Sequence, residues 1–567
     1  METKIRNPKI IINKSMRKKN IIKNIFALFN FSNILNLLFF ILFATLILKG
    51  SFSYLNPDLG WHLEIGKNII SEHNIQTVEQ RDFPIIGKPW IDHEWLMNAT
   101  TFFVYDHFGY INTSLLFGAI AMLTLIILII FVSKKYKFQT NSIFAVHLLA
   151  TFGLIGTLPF LGVRMQQISV LYLLLFLIVI DTYEKKYSTL KLLWLIPILC
   201  VWSFSHAGFF IGVLLIILWI FTKLFEYLLM EINCLKKIKI FFNLDKNIGK
   251  KKRLKIIYIF TLISAISILS TLLTPHGIKL YEFVIECFNP FMFSHIAEWI
   301  PIYSYPINYI ELFYISVVIS AFIWIFIKNS YLKDDNFIKL TAWEIALFFF
   351  FLAMTIKSRR NFPLFFIATF SFTVKTYVDL FIPVKNIFPK SNLTKIFIIF
   401  LIVILVLLNI NNFLQTRFTN IPFQSYCHSY PCKAIDYLKN SRYSDAKMFN
   451  HYGWGGFIIW TWPKKQIFID GRFPAYPVNG RTFLEEYYDF FDKDKVEQKL
   501  DQYDIGVVLL EKRGKINFSW IDKYVFSINA KMINSKKNEL LEYLSDSSQW
   551  SQVYADEISI IYVKNGL

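Results

Sequence analysis

The sequence predicts a polytopic α-helical membrane protein of about eleven transmembrane helices, completed by a C-terminal extracytoplasmic α/β domain. Three observations carry this. Of the 567 residues, 55% are hydrophobic and 18% charged, and the mean hydropathy is +0.43, more apolar side chain than one soluble core can hide. Apolar runs close to the roughly 20 residues that a helix needs to cross a bilayer recur through the first 412 residues. Beyond them the pattern changes to strand-length runs between charged stretches. A net charge of +20 would suggest nucleic acid in a soluble chain. Here the basic residues cluster between apolar spans, so topology explains them and no nucleic-acid partner is expected.

Residues 1–31 read as a basic cytoplasmic N-terminus: the first 23 hold eight basic residues and one acid. The candidate spans are 32–50, 111–132, 142–161, 168–184, 189–204, 208–226, 256–274, 308–328, 341–357, 362–381 and 394–412, which set a transmembrane domain over 32–412. The first span has no small-residue cleavage site after it and reads as a retained signal anchor. Lys134, Lys135, Lys185, Lys186 and the nine basic residues of 236–255 fall in the intervals that an inside start assigns to the cytoplasm. Eleven crossings then place the first loop, 51–110, and the tail, 413–567, outside a plasma membrane. In that loop eight acids outnumber three basic residues.

In the tail, 455–460, 466–469, 505–510 and 558–563 have strand character, and 431–440 and 482–501 have helical character. This suggests an α/β domain of independent folding size. Five cysteines without repeated spacing specify no zinc or disulfide framework, although Cys427 and Cys432 are a candidate pair in an oxidising compartment.

Chemistry-bearing residues gather in the first loop. Asn56-Pro57-Asp58-Leu59-Gly60-Trp61-His62 follows the first span closely, and Trp90-Ile91-Asp92-His93-Glu94-Trp95 ends the loop. Carboxylates and imidazoles at a lipid interface suit proton transfer beside a lipid head group. Further polar residues sit at span ends on the same side: Arg164, His206, His276, Glu298, Arg359 and Arg360. Charge bias does not explain arginines on that side, so either an anionic partner such as a phosphate or the first-loop acids would hold them. In the tail, Gly455-Gly456 permits close backbone approach, and Asp470-Gly471 reads as a turn after a buried run rather than a substrate contact.

On these residues the chain resembles the GT-C superfamily of polytopic membrane glycosyltransferases. It resembles most a widespread group of prokaryotic GT-C-like proteins, at Pro57-Asp58 with Trp61-His62, Trp90 with His93-Glu94-Trp95, His206 with Gly208, Glu298-Trp299, Arg360, Gly455-Gly456 and Asp470-Gly471-Arg472. The resemblance implies transfer of a sugar from a polyprenyl-phosphate-linked donor to a glycan, lipid or protein acceptor at the extracytoplasmic face, with inversion. Asp58, Glu94 and His93 would be catalytic. His62, Asp92, Arg164, His206, His276, Glu298, Arg359 and Arg360 would bind substrate. No adjacent pair of acids stands at Asp58 and no Asp-x-Asp occurs in the loop, so a divalent metal remains the one open cofactor. A lipid-linked glycan polymerase or ligase, and a non-catalytic glycan transporter or assembly protein, stay as alternatives.

Overall fold

The computed structural model describes residues 31–52, 55–138, 142–231, 248–330, 338–381, 392–414, 426–512, 514, 516–526, 528–529, 531 and 538–567. The basic N-terminus at 1–30, the 232–247 interval and the start of the tail at 415–425 lie outside them.

Every apolar segment anticipated from sequence is helical: α1 Phe31–Phe52, α3 Trp95–Tyr136, α4 Ile143–Thr157, α5 Gln166–Lys186, α6 Leu195–Ser205, α7 Phe209–Glu231, α8 Lys250–Ser270, α9 Tyr309–Ser330, α10 Ala342–Lys357, α11 Phe362–Phe381 and α12 Asn392–Leu414. Among the described residues, seven helices are long and apolar enough to cross a membrane, and the segments 189–205 and 395–411 form shorter apolar helices. In α3 the chain runs through a break at Gly109, where φ is +79°. Only glycine adopts that conformation without strain. The break separates a first-loop portion that begins at Trp95 from the membrane portion that sequence placed at 111–132.

The first loop carries α2, Leu59–Glu72, which buries Leu59, Leu63 and Ile65. It packs so closely on α3 that a Cβ at Gly66 would stand 2.1 Å from the Asn98 carbonyl oxygen. Thus α2 and the start of α3 form a lid of helix at one end of the bundle.

The tail is α/β. Its four-stranded sheet has the order β1-β2-β4-β3, formed by β1 Met448–Asn450, β2 Val507–Glu511, β3 Trp550–Ala555 and β4 Ser559–Lys564. The β1–β2 pair is parallel and the other two are antiparallel. Helices stand at Cys432–Lys439, Phe483–Tyr488 and Val496–Gln502. Cys427 and Cys432 form a disulfide with their Cα atoms 5.5 Å apart. Two expected strands differ. Residues 455–461 are a helix, since a short apolar run does not by itself distinguish the two states. Ile467 bridges in parallel to Asp82 of the first loop instead of joining the tail sheet.

Candidate functional site

The tail domain is joined to the first loop by contacts that tolerate almost no side chain. A Cβ on Gly60 would stand 1.8 Å from the Gly456 carbonyl oxygen, and one on Gly456 would stand 2.3 Å from that of Pro57. Tail tyrosines hold the very start of the same loop, where the Tyr426 and Tyr430 hydroxyls donate to the carbonyls of Phe52 and Leu55 at 3.1 and 3.0 Å. Arg472 closes the joint. Its guanidinium donates to Asp470 through Nε and Nη2 at 3.0 and 2.6 Å. It also pairs with Glu79 at 2.9 Å and Asp82 at 3.6 Å, all buried. Three carboxyls cannot all ionise around one guanidinium, and burial, with repulsion from Asp470 and Glu79, pushes Asp82 well above the carboxylate range. The turn anticipated at Asp470-Gly471 therefore serves as an interdomain anchor.

That joint brings Asp470-Gly471 against Asp58. A Cβ on Gly471 would stand 2.1 Å from Asp58 Oδ1, which accepts a hydrogen bond from Trp61 Nε1 at 3.0 Å. Burial, reinforced by the charges of Glu298, Glu94 and Asp470, raises the Asp58 carboxyl to about 7 against the opposing Trp61 bond. No cation pairs with it among the described residues. Glu94 behaves oppositely. Burial would raise it, but the adjacent His93, whose Nε2 lies 2.7 Å from Oε1, outweighs burial and holds Glu94 far below the usual range. His93 responds in kind: burial would lower it, yet Glu94 lifts it above an ordinary imidazole. Glu94 and His93 are thus a charged pair, whereas Asp58 is poised to exchange a proton near neutrality.

Two neutral histidines flank these acids, and their tautomers follow from their partners. Asp92, buried and raised by burial to about 6, accepts from Asn98 Nδ2 at 2.9 Å. Asn98 therefore turns Oδ1 toward His62 Nδ1, 2.6 Å away. His62 must carry its proton on Nδ1, leaving Nε2 as an acceptor. His206 is the reverse. Its Nδ1 accepts from the Gly208 N–H at 2.9 Å and stands 2.8 Å from Ser169 Oγ, which itself accepts from Trp202 Nε1 at 2.7 Å. The His206 proton therefore sits on Nε2. Burial lowers His62 and lowers His206 to about 3, so both stay neutral.

The arginines divide. Arg164 is ion-paired with Glu298. Arg359 donates to the Pro306 carbonyl at 2.6 Å and approaches Glu311 at 3.7 Å. Arg360 makes no ion pair among the described residues. Its Nε donates to the neutral Gln166 Oε1 at 2.8 Å, and its guanidinium lies over the Trp299 ring at 5.2 Å. Its N–H also donates to the Glu298 carbonyl at 3.1 Å, linking it to the acids. His276 lies at the rim, against the backbone of Asp92. Arg360, His206 and Gln166 together cap a largely apolar groove of about 120 Å³ between α3, α5 and α11, walled by Leu125, Val170 and Leu364. On the tail side a polar cleft of about 410 Å³ is lined by Phe291, His295, Tyr488, Asp492 and Glu511. Tyr452, which feels the charges of Asp58 and Glu298, donates its N–H to the Tyr487 hydroxyl of that cleft at 3.2 Å.

Sequence reasoning missed Asn98, Gln166, Ser169 and Trp202. Ser169 and the Gln166-Gln167 pair at the mouth of an apolar helix were the available signal. Among the described residues no set of three or more His, Cys, Asp or Glu side chains is placed to hold an ion.

Fold and site define a polytopic membrane protein whose first loop and C-terminal α/β domain close over charged groups at one end of the bundle. No protein-family model matches the chain, and no curated protein matches it. Among solved structures it is similar to the archaeal oligosaccharyltransferase AglB of Archaeoglobus fulgidus in complex with an inhibitory peptide and a dolichol-phosphate. The TM-score is 0.48 at 10% identity, over 83% of this chain and 69% of that one. It is similar as well to the A. fulgidus oligosaccharyltransferase tethered to an acceptor peptide, with TM-score 0.48 and 10% identity over 95% and 75%. The apo form gives 0.45 and 9% over 93% and 74%. At this level of likeness, function has to be read from the side chains themselves.

Proposed function

We propose that the chain is a membrane glycosyltransferase that moves a sugar from a polyprenyl-phosphate-linked donor to a hydroxylated acceptor. The observation that carries this reading is the pairing of an unneutralised carboxylate, Asp58, with an apolar groove capped by Arg360 and His206. The groove suits an isoprenoid chain, and its cap suits a phosphate, because the guanidinium offers paired donors and His206 Nε2–H adds another. Asp58, titrating near 7, removes the acceptor hydroxyl proton as that oxygen attacks the anomeric carbon, and the bond to the phosphate oxygen breaks with inversion. His62 Nε2, an acceptor by its tautomer, is the next group able to take that proton. Arg360 and His206 balance the charge that develops on the departing phosphate. Arg164 holds Glu298, and Arg359 anchors the 306–311 turn, so neither carries the phosphate in this mechanism. The acceptor enters from the tail-side cleft, whose aromatic faces and carboxylates match a polyhydroxylated glycan.

The decisive experiment is sugar transfer by purified protein in nanodiscs, supplied with polyprenyl-phosphate monosaccharides and assayed against acceptor glycans. Transfer that needs the polyprenyl chain and disappears in Asp58→Asn supports the reading. Turnover of Asp58→Asn near wild type overturns it. The same reading places residues 1–30 in the cytoplasm and the tail outside. A reporter fused after Leu567 that is active only in the cytoplasm would reverse that orientation.

A further inference from the structure

A second feature lies far along the chain from the site, in the tail segment 516–526. Within it, Trp520–Tyr524 forms one short helical turn, started by a reciprocal cap: Ser519 Oγ accepts from the Asp522 N–H at 3.1 Å, and Asp522 Oδ2 accepts from the Ser519 N–H at 2.8 Å. One face of the turn is spoken for. Asp522 Oδ1 accepts from the Tyr309 hydroxyl at 2.5 Å, and that hydroxyl lies 3.0 Å from Ser519 Oγ. Phe518 packs on Tyr305 with ring centroids 4.7 Å apart, and Phe526 stacks on Tyr309 at 5.7 Å. Phe518 and Asp522 are buried accordingly.

The other face has no partner among the described residues beyond its own rings. Trp520 is 68% exposed, Tyr524 71% and Val525 58%. Trp520 and Tyr524, four residues apart, stand side by side at 5.8 Å. Ile516 and Tyr303 extend the same exposed character. Large aromatic rings left together in water are unusual on a folded surface and mark an interaction site.

What covers them follows from where they sit. Tyr309 is the first residue of α9, one of the helices long and apolar enough to cross a membrane, so it stands where that helix enters the bilayer. The turn is fastened to that residue through three of its side chains, which fixes it at the same depth. Tryptophan and tyrosine prefer this layer, where the ring meets lipid and the polar edge meets water. We infer that the 516–526 segment is an interfacial anchor: Trp520, Tyr524 and Val525 insert into the head-group layer of the bilayer that holds α9. The partner is lipid, and the anchor gives the tail domain a membrane attachment separate from its glycine contact with α2. The inference stands whether or not the chain transfers sugar.

The test incorporates an environment-sensitive fluorescent amino acid in place of Trp520 in the full chain, reconstituted in nanodiscs. Lipids with a nitroxide near the head group should quench it more than lipids with the nitroxide near the chain end. A water-soluble quencher should act several-fold more weakly than on the free amino acid. Full access to the aqueous quencher with no lipid quenching would overturn the inference. Protection from both quenchers would overturn it as well, because it would mean a protein partner covers the patch. Trp520→Ser combined with Tyr524→Ser provides a second reading. It should raise hydrogen exchange of the 516–526 amides in nanodiscs and leave exchange of the β2–β4 strands unchanged. Unchanged exchange in 516–526 would count against lipid insertion.

Discussion

At one end of the bundle the half-buried lysines Lys135 and Lys223 each meet two acids. Lys135 lies 3.0 Å from Asp181 and 3.1 Å from Glu344, and Lys223 lies 2.7 Å from Glu184 and 3.1 Å from Glu226. At the other end ion pairs such as Arg164 with Glu298 and Arg472 with Asp470 also form, but two groups are left to neutral partners: Asp58 bonds to an indole, and Arg360 bonds to a carboxamide. A buried charge without an opposite partner is costly, and folding alone gives no reason to keep one. Charges matched within the chain lock helices together. Charges held by neutral groups remain available to a ligand.

The largest effect should come from Asp58→Asn, which keeps the shape and the site but removes the base. Transfer should fall on the order of 10²- to 10⁴-fold with membrane insertion unchanged, as measured by turnover of purified protein. In the wild type, activity should rise as pH climbs to about 7 and level off above it, because the ionised carboxyl is the reacting form. Stability runs the opposite way. The folded protein holds this proton up to about 7, whereas the unfolded chain releases it near the ordinary value of 3.8, so folding weakens as pH rises between the two. Asp58→Asn should therefore raise the melting temperature at pH 8 while abolishing activity, the exchange expected of a functional charge.

Lys223→Met tests the matched end. It leaves Glu184 and Glu226 facing one another, and about 3–5 kcal/mol of stability should be lost, read by thermal unfolding in nanodiscs, with lipid-donor affinity intact. A stable variant with impaired donor binding would dissolve the contrast between the two ends.

Arg360→Lys preserves charge but removes the planar fork. Donor affinity should fall by about 1.5–3 kcal/mol with little change in melting temperature, since no carboxylate is left unpaired. Lower melting temperature with unchanged donor binding would move Arg360 to the structural side of the comparison. The smallest effect is expected from Ser169→Ala, which frees His206 Nδ1 from one of its two partners. Donor binding should weaken by about 0.5–1.5 kcal/mol, and chemical shifts of labelled His206 should report mixed tautomers.

The sequence by itself determined which segments are helices in the membrane, because a run of apolar side chains has no other stable arrangement in lipid. It also marked Asp58, His206 and Arg360 as polar groups close to the ends of apolar spans, where they are expensive to keep. What it left open depended on distance. The 455–460 run carried strand character, and it is as a helix that it packs its glycines against Pro57 and Gly60. Asp470-Gly471-Arg472 looked like a local turn until Glu79 and Asp82, nearly four hundred residues earlier, supplied its partners. Arg164, Arg359 and Arg360 looked alike by the charge rule. Tertiary structure alone separated them, pairing the first with Glu298, placing the second near Glu311 and leaving the third with Gln166. Asn98 and Ser169, ordinary polar residues in the linear chain, decide the tautomers of His62 and His206 only because folding puts each within hydrogen-bond reach of an imidazole, and the direction of a hydrogen bond is a property of the pair.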